Sequence, residues 1–358
     1  MADAAHHHTR PAGRVEIDGH FIRSGNHRER KAAATEGLIG LVCVMRYLPL
    51  LVVALPISAQ SIPPYVPVNP ALASRSALYA QPFIGPATGW DVRIVGDYTN
   101  AVEAVSSSDQ RDYAFDAEVL QLDIWISRDV SPRVFVVGNV AVRGGYDGFL
   151  DQFLNEYHDL IGFRVPARNI RAANQFEWAF ELGGAERTRE RPGTFIGDVR
   201  IGAGFRITPA LQAMVSLTLP TTTTDIENWG RQEIGTSGSI TAVALRTDRV
   251  AIDVGVSAGW TPAHGELAEF QRTVFGGALV AGRWRFSGRQ SVFSTFWIQS
   301  PNWHDTGFRA LDQAEITLDL GALFILRAGW PELQVGITED LLPNGPSVDA
   351  GFKLGVRW

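Results

Sequence analysis

The chain ends in Phe352-Lys353-Leu354-Gly355-Val356-Arg357-Trp358. Apolar side chains stand at every second position, Phe352, Leu354, Val356 and Trp358, and the last residue is aromatic. Successive side chains of a strand point to opposite faces, so this stretch predicts a β-strand with one apolar and one polar face. The same period runs upstream through Leu120, Leu122, Ile124, Ile126; Val134, Val136, Val140, Val142; Phe176, Trp178, Phe180, Leu182; and Val199, Ile201, Phe205, Ile207. It continues in Leu211, Val215, Leu217, Leu219; Val250, Ile252, Val254, Val256; and Ile316, Leu318, Leu320, Phe324.

The alternate positions carry Asp123, Glu177, Glu181, Asp198, Arg200, Arg206, Asp253, Arg283, Arg285 and Asp319. A soluble sandwich would have to bury these charges, whereas a barrel in lipid turns its apolar face outward and its polar face to the lumen. No uncharged apolar run of about 18 residues follows the first 60 positions, so helical spans are not expected and any crossing must be made by strands. Tight connections at Thr208-Pro209, Thr247-Asp248, Ser287-Gly288-Arg289 and Gly329-Trp330-Pro331 alternate with longer ones at 184–193, 221–233, 261–271 and 301–312. Short turns at one end and long loops at the other are the bacterial barrel pattern. The expected fold is all-β, a transmembrane antiparallel β-barrel of 12 to 14 strands with one short amphipathic helix in an insert. Thirteen strands can be counted over 89–358, and an odd number conflicts with the even numbers of single-chain bacterial barrels. Asp116 and Glu118 share parity with Leu120–Ile126, as expected of a strand that projects beyond the bilayer. The closing residues Phe352, Leu354, Val356 and Trp358 resemble the carboxy-terminal signal that outer-membrane barrels present to the barrel assembly machinery.

Upstream of the barrel, residues 1–44 show no sustained period and read as disordered or untranslated. Residues 45–59 carry Met45-Arg46, an apolar run from Tyr47 to Ile57 and small residues before a cleavage point between Ala59 and Gln60, which is the order of a secretory signal peptide. Residues 60–88 hold Pro63, Pro64, Pro67, Pro70, Pro82 and Pro86 and predict an extended lead-in or a lumen plug. Removing residues 1–59 leaves 25 basic and 33 acidic residues, a net charge of −8, which weighs against nucleic-acid binding. The expected location is therefore the bacterial outer membrane, reached through the periplasm, among lipids that include lipopolysaccharide.

Within the insert at 144–170 the period changes from two to helical. Leu150, Phe153, Leu154, Tyr157 and Ile161 follow the i, i+3, i+4, i+7 spacing, with Asp151, Asn155, His158 and Asp159 on the other side. Leu150-Asp151, Tyr157-His158-Asp159 and Gly162 resemble the family called domain of unknown function 3187. That resemblance implies an outer-membrane barrel and supplies no catalytic residues. Asp151, Asn155, His158 and Asp159 are candidate ligand or gate residues, or, bonded to Arg164 and Arg168, the pins of a plug or lid.

No nucleophile elbow, zinc pattern or phosphate loop is present, and no cofactor or metal is expected. Trp125 and Trp297 are candidates for the lumen face, and interface girdles account for most other tryptophans. The leading expectation is a non-enzymatic barrel that passes or binds a small or amphipathic solute, cationic or neutral, with the insert as plug or gate. The alternatives are a lipid-modifying enzyme using His264 or His304 beside a serine such as Ser257 or Ser300, and a structural barrel with a filled lumen.

Overall fold

The computed structural model describes residues 61–68, 81–106, 112–162, 173–182, 185–227, 229–230, 233–342 and 350–358. The expected signal peptide over 45–59 lies outside these residues, and so do both sides of its cleavage point, Ala59 and Gln60. Arg164 and Arg168, expected as partners of the insert's acidic side chains, also lie outside them.

Among the described residues fifteen strands form one antiparallel sheet: β1 (Trp90–Ser106), β2 (Asp112–Asp129), β3 (Val134–Tyr146), β4 (Glu177–Leu182), β5 (Ala185–Thr188), β6 (Gly193–Ile196), β7 (Arg200–Thr208), β8 (Leu211–Thr218), β9 (Gly235–Arg246), β10 (Val250–Trp260), β11 (Val274–Arg285), β12 (Gln290–Gln299), β13 (Glu315–Phe324), β14 (Glu332–Asp340) and β15 (Ala350–Arg357). A helix, α1 (Asp151–Ile161), lies between β3 and β4, and a single turn, α2 (Arg309–Asp312), between β12 and β13.

Strand β1 pairs with β2 on one side and with β15 on the other, and the ring runs β1-β2-β3-β7-β8-β9-β10-β11-β12-β13-β14-β15. Twelve strands therefore close the barrel. Closure leaves no unpaired edge in the apolar layer, where there is no water to satisfy it.

The remaining three strands explain the odd count. Strand β2 pairs with β3 up to Glu118↔Tyr146, and beyond that point Asp116↔Glu177 to Tyr113↔Phe180 pair it with β4. Strand β4 thus continues the column of β3 after the insert. On the other side of β3, Val142–Gly145 pair with β6 and Val134–Asn139 with β7, so β6 and β7 share the next column. The stretch Phe176–Leu182 is a rim extension and adds no span.

Side-chain alternation follows the sequence pattern in the ring strands, whereas in β4 it is reversed: Trp178 and Phe180 are buried in the interior and Glu177 pairs with Asp116, on the outward parity of Glu118. Ile201, Phe205, Val215, Leu217, Val254, Val256, Val280, Phe296 and Leu354 are exposed on the outer wall, while Asp123, Arg200, Arg206, Asp253, Arg283 and Asp319 are buried inside. Trp90, Trp260, Trp284 and Trp330 stand outward near strand ends as a girdle. The inner wall is also fitted ring to glycine. Phe135 lies across Gly204, Phe275 across Gly259 and Phe293 across Gly321, each in a register pair. A Cβ at position 204 would sit 2.0 Å from Phe135 Cζ. Gly204→Val is accordingly expected to lower the yield of folded barrel in detergent refolding, read as loss of the compact, heat-modifiable band in gel electrophoresis.

Candidate functional site

Residues 61–68 and 81–87 run through the lumen. At the end of the short turns, Arg93 Nη2 donates to Ser61 Oγ (2.5 Å) and Arg283 Nη1 to the Ser61 carbonyl (2.8 Å). Glu332 accepts from Arg283 Nη2 (2.7 Å) and Asp91 takes a two-bond contact from Arg357 (2.7 and 3.0 Å), which balances most of this arginine group. Further up, the Tyr65 hydroxyl accepts from Thr317 (2.7 Å) and its ring lies 5.1 Å from that of Trp297. Gln81 bonds both the N–H and the carbonyl of Tyr65 and so joins the ascending to the returning pass.

On the way back, Thr241 donates to the Gln81 carbonyl, Phe83 N–H to Asp253, Ile84 N–H to Gln212 and Ala87 N–H to Asp129. Arg206 holds the carbonyls of Ile84 and Gly85 (3.1 Å each) and pairs with Asp129 (2.7 Å). The composition explains this path. Pro63, Pro64, Pro67, Pro82 and Pro86 have no N–H for a ladder, and the polar backbone groups that remain need partners that lumen side chains supply. Between segment and wall remains a cavity of about 30 Å³, lined by Ser61, Phe83, Arg93, Trp125 and Arg357 among others. That is room for about one water molecule.

Charges in the middle of the lumen are held in pairs. Lys353 contacts Asp319 (2.9 Å) and Asp97 (3.5 Å), and Thr338 donates to Asp319. Asp123 accepts from Gln121 and from Asn139 (3.1 Å), whose carbonyl oxygen takes a bond from Arg200. Pairing of this kind offsets the several kcal/mol that each buried ion costs in lost hydration.

Toward the long loops the interior turns aromatic. Val68, Phe115, Trp178, Trp229, Trp303 and Phe308 belong to one buried cluster. Phe115 and Trp178 rings are 4.8 Å apart, Trp178 and Trp229 5.8 Å, Tyr113 and Phe308 5.4 Å. Trp229 comes from the loop after β8, Trp303 and Phe308 from the loop after β12, and all fold inward over the mouth. Trp178 and Trp303 are therefore mouth residues rather than girdle residues, while Trp125 and Trp297 do face the lumen. Trp229 escaped sequence reasoning because it stands in a polar, Thr-rich loop with no period.

The described part of the insert does not enter the lumen as a plug would: helix α1 packs against the outside of the wall. Leu150 and Leu154 cluster with Tyr98 and Ala350, and Phe153 contacts Phe352 at 5.9 Å between ring centroids. Tyr98, Ala350 and Phe352 share the outward parity of Leu354. Asp151 accepts from Asn100 Nδ2 (2.8 Å) and from the Asn174 N–H, and outward-facing Glu118 accepts the N–H groups of Phe149 and Leu150. Buried His158 lies 3.9 Å from Glu339, another outward position. Asn155 and Asp159 face away from the wall and are exposed. Gly162 ends the helix in a left-handed conformation (φ 72°), which favours glycine. Asp151 and His158 are thus brought together on the wall, and Asn155 and Asp159 are not. His264 contacts Glu233 (3.4 Å) and His304 contacts Asp305 (3.0 Å), and Ser300 Oγ accepts the Gly276 N–H.

Loss of the Asp151 carboxylate leaves Asn100 and the Asn174 N–H without their acceptor, at about 1–3 kcal/mol. Asp151→Ala is expected to speed proteolytic cleavage in 147–162 of the folded barrel while the strands stay protected. Arg206→Ala is expected to do the same for 81–87, both read by mass spectrometry of the fragments.

No curated protein matches the sequence. Among solved structures, the COG4313 outer membrane channel from Pseudomonas putida F1 is similar at 16% identity, covering 77% of this chain and 96% of that one, with a TM-score of 0.49. The CymD monoaromatic hydrocarbon channel shares 11% identity over 81% of this chain and 89% of that one (TM-score 0.37). The Pseudomonas putida toluene transporter TodX shares 7% over 84% and 98% (TM-score 0.36). Residues 72–358, which include the helix that Leu150, Asp151 and His158 fix to the wall and Gly162 ends, match the family described as protein of unknown function, DUF3187, and the chain belongs to it.

Proposed function

We propose that this chain is an outer-membrane barrel that admits a small, amphipathic solute through a lumen held shut by its own residues 61–68 and 81–87, with α1 as an outer-wall element instead of a gate. The long loops then face the exterior and the short turns the periplasm. The observation that carries this reading is the way the segment is held. It is fixed to the inner wall by hydrogen bonds with Arg93, Arg206, Gln212, Thr241, Asp253 and Arg283, while its buried Ile62, Tyr65 and Val68 join two separate apolar clusters and not one continuous core. Such bonds exchange with water at a net cost of about 0.5–1.5 kcal/mol each, or about 1.5–3 kcal/mol where an arginine or carboxylate takes part, so the segment can shift without unfolding the ring. Rings at the outer mouth offer an apolar surface and the paired charges below it a polar one, which suits a solute with both characters. Lipopolysaccharide-containing lipid around the wall, delivery by the barrel assembly machinery and export through the periplasm belong to the same reading. So does cleavage between Ala59 and Gln60, which would leave the lumen segment starting one residue into the mature chain. The exposed histidines do not favour the enzyme alternative, since their nearest acidic groups are solvent-facing carboxylates and Ser300 Oγ is engaged by the main chain.

Deleting 61–87 is expected to raise single-channel conductance and the solute-driven swelling rate of proteoliposomes severalfold over the intact chain. The double variant Arg206→Ala, Asp253→Ala should raise them in the same direction, and Asp151→Ala should leave both unchanged. Unchanged conductance in the first two folded variants would favour a structural barrel with a filled lumen.

A further inference from the structure

We infer that α1 is an interfacial helix whose Phe149, Phe153 and Leu160 edge is seated in the acyl chains of the outer leaflet, beside the barrel's own lipid-facing wall. This is independent of what the lumen carries. Phe149 and Phe153 are 53% and 52% exposed and Leu160 is 85% exposed, although the helix has a wall to pack against.

The helix has three faces. Leu150, Asp151, Leu154 and His158 meet the wall and are buried, while Gln152, Asn155 and Asp159 are polar and exposed. Phe153, Tyr157 and Leu160 follow i, i+4, i+7 and form a stripe of their own, and Phe149, just before the helix cap, stacks on Tyr98 beside it. At 3.6 residues per turn the centres of the three faces are about 120° apart. A helix needs three such faces where it lies in the corner between a protein wall, lipid and water; on a water-covered wall two would suffice.

Register fixes which way the apolar stripe points. Asn100, Ala350 and Glu339 form one cross-strand row of the outer wall, and Tyr98, Phe352 and Ile337 form the row two residues nearer the turn end. The polar and small anchors, Asn100 to Asp151 and Glu339 to His158, lie in the upper row. The rings meet the lower one, Phe149 stacked on Tyr98 at 5.3 Å and Phe153 against Phe352 at 5.9 Å. The stripe therefore faces the bilayer side and is continuous with Phe352, Ile337 and Leu354 of the lipid belt, themselves 41%, 40% and 48% exposed. Lipid chains are the occupant that this continuity selects.

The test uses the chain's cysteine count. Its single thiol is Cys43, so in a Cys43→Ser background one added cysteine gives one nitroxide label. Labels at Phe153→Cys, Leu160→Cys, Asn155→Cys and Asp159→Cys are compared in the full chain folded into phospholipid vesicles. Collisions are measured with oxygen, which concentrates in lipid, and with a nickel chelate, which stays in water. Positions 153 and 160 are expected to show an oxygen-to-nickel ratio severalfold above that of 155 and 159. A water-like ratio at all four overturns the inference. Spin–spin broadening at 160 also overturns it, because a second copy of the chain would then cover the edge. Leu160 makes little contact with the rest of the protein, so its variant keeps the test valid if Phe153→Cys folds poorly.

Discussion

The hydrogen bonds between β1 and β15 govern the rest of the molecule. They join the first strand of the barrel to the last, from Arg93↔Arg357 to Asn100↔Ala350, and convert a sheet with two open edges into a ring with none. Only in that closed form can strands sit in hydrocarbon, where an unpaired N–H or carbonyl costs several kcal/mol. Closure then decides the meaning of every side chain. One parity must be apolar because it meets lipid, and the other can hold charges because they find partners across a narrow lumen. The terminal segment Phe352–Trp358 is the piece that completes the ring, which gives its strict alternation a mechanical reason.

Within that ring, the interior is filled from two directions. A proline-rich segment of the chain's own enters at the turn end, fixed by arginines and carboxylates, and the long loops fold tryptophans inward at the other end. The middle layer, Lys353 between Asp319 and Asp97, lies beside the segment, with Lys353 Nζ 5.2 Å from the Tyr65 ring, and is charged although it is buried. Polar fixing at one end and aromatic packing at the other give the two halves of the lumen different chemistry on one scaffold.

Much of this was legible in the sequence because strand parity is a local property. The lipid belt, the lumen charges, Trp125 and Trp297 and the alternation of short turns and long loops could all be read residue by residue. Composition marked the proline segment as lead-in or plug but could not choose, since a proline run has the same sequence whether it lies in water or in a lumen. The choice is made by Asp253, Gln212 and Arg206, which stand 121 to 170 positions away. The insert's helix could not be placed for a related reason. Its amphipathic pattern showed that a surface was to be covered, but the two sides of a barrel wall are both surfaces, and helix periodicity does not say which one is met. Glu118 carried the missing signal. It is a carboxylate on the lipid-facing parity of β2, and it is tolerable there because the start of α1 caps it.

The interruption between β3 and β4 has a consequence for how such a barrel can vary. A barrel's girth depends on the number of strands in the ring and on their stagger. Because the chain leaves the wall after Tyr146 and returns to the same column at Glu177, everything between is spliced into one stave without adding another. Residues can be gained or lost there, and the helix lengthened or replaced, while the hoop keeps its circumference and the lumen its width.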